Sequence, residues 1–247
     1  MMNRDSNAYT FGFAAAMVVV VASVLAFTAS SLKDLQQENV RKEKMQNILA
    51  TIGIETDRDG AEVLFNDHIV SQLALRNDGS VDEDVDPFSG IKLALELKKD
   101  PSEQRFPLYL AKVKEASYYI IPLRGSGLWD AIWGYIALES DRNTIKGAVF
   151  DHKAETAGLG AEITQQWFMN RFVGEKVFDN DGKLVGISVS KTNNDPKDLD
   201  KDDHEVDAIS GATITGDGVS DMIMERLTHY QSYLTQNQIT TAVAVND

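Results

Sequence analysis

Between Asp5 and Lys33 the chain carries no formally charged residue, and within that window Phe11 to Phe27 is an unbroken run of apolar and small side chains. With its shoulders from Tyr9 to about Leu32 the run is long enough, at about 1.5 Å rise per residue, to cross a hydrocarbon layer of ~30 Å. The pattern predicts a short tail over 1–8 and one transmembrane helix over 9–32. The competing reading, a cleaved signal peptide, draws on the small residues between Ala26 and Ser31. A basic region reduced to Arg4 and an apolar stretch longer than a typical signal core favour a retained anchor. From 33 to 54 the chain turns polar and lysine-rich, with Leu35, Val40, Met45, Ile48 and Leu49 at roughly helical spacing. This juxtamembrane segment is expected to continue the anchor helix or to follow it as a second one.

The remainder, 55–236, reads as one soluble domain, followed by a loose tail over 237–247. Its first part holds the apolar strings Ala61–Phe65 and Ile69–Leu75, broken by turn signals at Asp59–Gly60 and Asn77–Asp78–Gly79. The centre is strand-like: Ser117–Leu123, Ala131–Leu138 and Thr144–Phe150 are rich in β-branched and aromatic residues. Gly125–Ser126–Gly127–Leu128–Trp129 lies between the first two and predicts a turn. Ile163, Trp167, Phe168 and Phe172 form an apolar stripe that predicts a short helix over 161–172. Asn180–Asp181–Gly182 predicts a hairpin between Glu175–Phe178 and Leu184–Ser190. Asn193–Asp207 reads as a long exposed acidic loop. Beyond Thr215 the spacing of Val219, Met222, Ile223, Leu227, Tyr230 and Leu234 predicts a helix, with Thr215 or Asp217 as its cap. Without long helices alternating with parallel strands, the fold class is α+β with an antiparallel-rich sheet.

Charge and composition narrow the chemistry. The 247 residues include no cysteine, which excludes disulfides, thiol redox chemistry and iron–sulfur clusters. A formal net charge of -14 supplies no basic track for nucleic acid. The four histidines lack metal-site spacing, and the acidic string Asp82, Glu83, Asp84 and Asp86 lacks the ligand spacing of a calcium loop, so it reads as a solvated loop and no metal site is expected. No Gly-x-Gly-x-x-Gly, phosphate-binding lysine loop, histidine pair or nucleophile elbow is present. No catalytic constellation is expected on this chain alone. Arg4 before the anchor and Lys33, Arg41, Lys42 and Lys44 after it would leave the large domain in the cytoplasm, a weak vote because acidic residues are interleaved. One stretch stands out: Asp207–Ala–Ile–Ser210–Gly211–Ala212–Thr213–Ile–Thr215, immediately before the last helix. Small residues there allow close backbone approach and free amides favour an anion, although such a turn is more often only a cap.

The string Asp207-x-x-Ser210–Gly211–Ala212–Thr213 resembles the flavinylation motif of the FMN-binding domain family, in which the threonine after Gly–Ala carries FMN as a phosphoester. The Ser–Gly–Leu–Trp element at Ser126–Trp129 and the Glu–Thr–x–Gly–Leu–Gly element at Glu155–Gly160 precede it in the same order as in the C subunits of bacterial sodium-translocating NADH:quinone reductases. That likeness covers essentially the whole chain; Ala157 stands where the family usually has proline. The resemblance implies an FMN-binding region over about 117–234 with Thr213 as the attachment site. It implies Ser210, Gly211 and Ala212 as the wall of the phosphate turn, and Glu155, Thr156, Gly158 and Leu159 against the flavin or its ribityl chain. Leu128 and Trp129 would neighbour the ring, with Trp129 equally readable as a core residue, and Lys191 and Thr192 are placed near by position. It further implies an electron-relay subunit within a complex of six subunits in the bacterial inner membrane, with NADH and ubiquinone bound by the others. The domain would then be periplasmic, where a flavin transferase modifies it, against the charge count. The alternatives are the G subunit of the Rnf electron-transport complex, a non-catalytic membrane-tethered binding or assembly module, and an extracellular hydrolase, which the missing nucleophile and base disfavour.

Overall fold

The computed structural model describes residues 6–195 and 199–244, with the side chains of the last helix as far as Gln236. The chain divides into two units at Lys44/Met45. The N-terminal unit is the greater part of α1 (Asn7–Ala50), one continuous helix, so the juxtamembrane segment extends the anchor. It contains a window of mean hydropathy 2.3, none of it buried, long and apolar enough to cross a membrane. Toward its end Glu38 accepts from Arg41 Nε at 3.0 Å, and that pairing lowers the Glu38 pKa.

The second unit is built on a five-stranded antiparallel meander in sequence order: β1 (Ile69–Leu75), β2 (Phe106–Val113), β3 (Ala116–Ser126), β4 (Ala131–Leu138) and β5 (Ile145–His152). Successive side chains point to opposite faces, and both faces of this sheet are covered. Leu108, Ile121, Leu123 and Ile136 face a core completed by the last helix, α5 (Thr213–Ala244), through Val219, Ile223 and Leu227. Tyr109, Ala111, Ile120 and Ala137 face a second core, closed by Met45, Ile48 and Leu49 at the end of α1 and by Phe65 of α2 (Ala61–His68). Burial on both faces explains why the strands read as apolar runs with loose alternation. The fold is α+β with an antiparallel sheet, as the pattern predicts.

Several local expectations are corrected. The stripe over 161–172 does not make one helix: α4 (Gln166–Met169) lies between 3-10 turns at Gly160–Thr164 and Asn170–Phe172, because Gln165 is extended. Its aromatics are nonetheless core, with Phe150, Phe168 and Phe172 packed ring against ring. The Asn180–Asp181–Gly182 turn forms, yet the hairpin is reduced to a bridge between Phe178 and Leu184. Its second arm instead supplies β6 (Ser188–Val189), which pairs in parallel with β7 (Glu205–Val206) from within the expected acidic loop. Residues 196–198 of that loop lie outside the described residues. Asp82 is not part of a solvated loop: it is buried, contacted by Arg105 Nε at 2.5 Å and Arg76 Nη2 at 2.7 Å, and the Arg105 bond lowers its pKa. α5 continues to Ala244, so the expected loose tail is helical to that point, and 245–247 lie outside the described residues. Between β1 and β2 the chain makes an excursion that includes the short α3 (Leu93–Glu96).

Candidate functional site

Three connections converge on the first turn of α5. The β3–β4 turn is closed by Gly127 N donating to Asp130 O at 2.8 Å, and Asp130 pairs with Lys153 Nζ at 2.8 Å, which holds its carboxyl below the usual range. The loop after β5 curls on itself, with Leu159 N and Ala161 N both donating to Thr156 O at 3.1 Å. The third connection, from Ile209 into the helix, turns through Gly211 at φ +76°, a left-handed conformation that favours glycine. α5 then starts at Thr213, and Gly216 N donates to Ala212 O at 2.9 Å. The amides of Thr213, Ile214 and Thr215 precede that bond, as the first N–H groups of any helix do. Thr215 and Asp217 therefore sit inside the helix and neither is its cap.

Glu155 ties the three together. It is 7% exposed; Oε1 accepts from the Trp129 backbone N–H at 2.9 Å and Oε2 accepts from Thr215 Oγ1 at 2.7 Å. Its own N–H donates to His152 Nδ1 at 3.1 Å, and the Trp129 indole donates to Thr156 Oγ1 at 3.2 Å. Trp129 is 66% exposed, which rules out the core reading. The approach is so close that side chains are excluded: a Cβ on Gly160 would stand 2.3 Å from Glu155 Oε2, and one on Gly218 2.3 Å from Ser126 O.

Between these segments lies a cavity of about 240 Å³, lined by Leu128, Glu155, Thr156, Leu159, Gly160 and the stretch Gly211–Thr215. Glu155, Gly160, Ala212 and Thr215 are buried, whereas Leu128, Leu159, Ile214 and Thr213 are exposed. The fold thus brings together Thr213, Gly211, Ala212, Glu155, Thr156, Leu159 and Leu128, with Trp129 beside them through Thr156. Gly158 lies in the loop at φ +77°, and Ser210 is exposed just before the left-handed Gly211; neither lines the cavity. Lys191 and Thr192 are exposed after β6 and do not line it either; Thr192 O accepts from Ala208 N at 3.1 Å, which steadies the approach to the motif. Gly160, Ile214 and Thr215 line the cavity but were not among the expected site residues. Gly160 could have been found as the last glycine of the 155–160 element, and Thr215 as a second hydroxyl two residues after Thr213.

Residues 127–228, a span that begins at the β3–β4 turn and contains all three connections, match the FMN-binding domain family. The C subunit of the Na(+)-translocating NADH-quinone reductase of Pseudomonas aeruginosa is 31% identical over 246 residues, covering 90% of this chain and 92% of that relative. This chain belongs to the NqrC family. The Vibrio campbellii relative of the same name is 30% identical over 237 residues, covering 88% of this chain and 89% of its own length. The crystal structure of the Parabacteroides distasonis NqrC protein superposes with a TM-score of 0.74 at 36% identity, covering 83% of this chain and 97% of that one. Shewanella oneidensis NqrC follows at a TM-score of 0.66 and 26% identity, covering 81% and 98%.

The cofactor of this NqrC-family domain is FMN, and the residue types around the cavity match parts of that molecule. Its Thr213 end offers a hydroxyl and helix-start amides to a phosphate. Leu128, Leu159 and Ile214 offer apolar surface to a flat ring, and Thr156 and Glu155 offer polar atoms between. A Cβ on Gly211 would press to 2.8 Å from Leu159 Cδ2, so glycine keeps that wall open.

Proposed function

We propose that this chain is the electron-relay subunit of a membrane-bound, sodium-translocating NADH:ubiquinone reductase, with FMN attached through a phosphoester to Thr213. The observation that carries the reading is the position of Thr213. An exposed hydroxyl at the first residue of α5 lines the cavity, one residue past the buried Ala212 and two past the left-handed Gly211. When bound, FMN supplies electron acceptance and donation in one- or two-electron steps, the protein's part being to hold it and tune it. The phosphodiester keeps one negative charge, which the helix-start amides stabilise by about 0.3–1 kcal/mol. Glu155, locked between Trp129 and Thr215, fixes the loop that forms the opposite wall. Attachment at the phosphate end leaves the ring unmodified and prevents loss of the carrier, and anchorage by α1 keeps it at high effective concentration beside membrane partners.

Those partners are the other subunits of the complex, counted as six with this one; NADH is oxidised and ubiquinone reduced on them, and sodium translocation belongs to the assembly. The domain faces the periplasm from the inner membrane, where a flavin transferase loads it. Two measurements test this. Co-expressed with a flavin transferase, the chain should gain the mass of FMN less one water on the peptide containing Thr213, and Thr213→Ala should lose both that mass and in-gel flavin fluorescence; undiminished covalent flavin in the variant refutes the attachment. Protease added to intact spheroplasts should digest the large domain, and its protection refutes the periplasmic placement.

A further inference from the structure

Leu128 also borders a larger groove, of about 790 Å³, running along α5 from Gly218 to His229 and walled by the end of β3 and by the β1–β2 excursion at Ala94, Leu97, Lys98 and Gln104. Arg226 of α5 lines it and is 94% buried, being 6% exposed. Its Nη2 donates to Glu225 Oε2 at 2.6 Å, while Nε and Nη1 are shut off from water and have no hydrogen-bond partner among the described residues. A guanidinium remains charged at any relevant pH, and burying its donors unpaired is costly. Asp82, by contrast, is a buried charge met across the fold by Arg76 and Arg105. Here the one carboxylate in contact, among the described residues, belongs to the preceding residue in sequence, and its side chain is 62% exposed.

The neighbourhood does not supply a substitute. His229 stacks on Phe106 at 4.0 Å and donates its Nδ1–H to Asn77 Oδ1 at 2.8 Å. Burial and the adjacent Arg226 hold its imidazole down to about 4, so it stays neutral at pH 7. The lining also includes Arg124 and Lys98 against Asp130, Asp221 and Glu225. That mixture disfavours a polyanion yet leaves one buried cation open to one anionic group. Ala94, Leu97 and Leu128 add apolar surface, and the volume is in the range of pockets for small organic molecules.

We propose that this groove, which adjoins the Thr213 cavity at Leu128, is a second ligand site that takes an organic oxyanion: its carboxylate or phosphate oxygens replace the Glu225 carboxylate on Arg226, and its apolar body lies against Ala94 and Leu97. Glu225 acts as a removable cap, held by one bond and free to swing into water. The oxyanion takes over the Nη2 donor that Glu225 releases and, once Glu225 has swung out and uncovered the guanidinium edge, pairs a second oxygen with Nη1, because a planar fork matches two oxygens at once.

The experiment uses the full chain in detergent with FMN already attached, so that the Thr213 cavity is filled. Benzoate and phenyl phosphate are titrated by calorimetry at constant ionic strength, with benzyl alcohol as the uncharged control. Saturable binding of either anion, with benzyl alcohol roughly tenfold weaker or absent, is the expected result, and the tighter anion names the head group. Arg226→Met should weaken binding roughly tenfold or more, and Glu225→Gln should tighten it by removing the competing charge. Retained covalent FMN reports an intact fold in each variant. If neither anion saturates, if Arg226→Met binds as tightly as the parent, or if Glu225→Gln leaves affinity unchanged, the proposal is overturned while the FMN assignment stands.

Discussion

Replacing Glu155 by alanine removes one acceptor from each of two donors on different elements, and the two losses differ in size. The Thr215 hydroxyl is buried to 1% exposure and donates to a carboxylate at 2.7 Å. Without that oxygen the hydroxyl loses its acceptor at a depth where bulk water cannot replace it, a loss of about 1.5–3 kcal/mol for a bond to a charged group. The Trp129 amide lies in a turn beside an exposed side chain, where water can take over, so its loss adds about 0.5 kcal/mol. Glu155→Ala should therefore destabilise the domain by about 2–3.5 kcal/mol. Glu155→Gln should cost only about 1 kcal/mol, because an amide can turn its oxygen to the Trp129 N–H and its NH₂ to Thr215 Oγ1, retaining both contacts in neutral form. Denaturant unfolding of the full chain in detergent, followed by tryptophan fluorescence, measures both, and a double-mutant cycle with Thr215→Val should give a coupling of about 1–2 kcal/mol. The clasp is refuted if alanine and glutamine variants unfold alike, or if the cycle shows no coupling.

Gly218→Ala places a Cβ 2.3 Å from the Ser126 carbonyl oxygen and 3.5 Å from Gly127 Cα, backbone that cannot rotate away. Overpacking of this kind should cost about 1–3 kcal/mol and push the β3–β4 turn off α5, lowering the yield of covalent FMN; unfolding midpoints and flavin fluorescence per mole of protein check both. His229 predicts a pH dependence. It ionises at about 4 in the folded chain against 6.5 for the free side chain, so between those values only the unfolded state takes up the proton. Stability should fall as pH drops from 6.5 to about 4 and level off below, by about 2 kcal/mol after discounting a full shift for the partly exposed ring. His229→Gln should flatten that window in pH-resolved unfolding, and an unchanged slope removes His229 as its source.

The anchor was legible because an uncharged window of that length has few other uses, and the antiparallel sheet because its strands are short, apolar and separated by turn residues. The helix over 161–172 was misread for a physical reason. Its stripe at three- and four-residue steps serves equally well for a chain that packs Phe168 and Phe172 on Phe150 while changing direction at Gln165. Asp82 was misread because its two partners, Arg76 and Arg105, lie on either side of an excursion whose ends only the β1–β2 pairing brings together.

At the site, the three motifs and the hydroxyl of Thr213 belong to local sequence: small residues before a helix create a turn with exposed amides wherever they fall. Which side chains meet is another matter. The 2.7 Å bond from Thr215 to Glu155 joins positions sixty residues apart, and the unpaired donors of Arg226 exist only because α5 lies across the sheet beside the β1–β2 excursion. Backbone propensity and patterning act over a turn or a strand, so the chain alone determined the anchor, the strands of the central sheet and the small-residue turn before α5. Burial, pairing and the depth of each cavity depend on long-range packing, and those the tertiary structure decided.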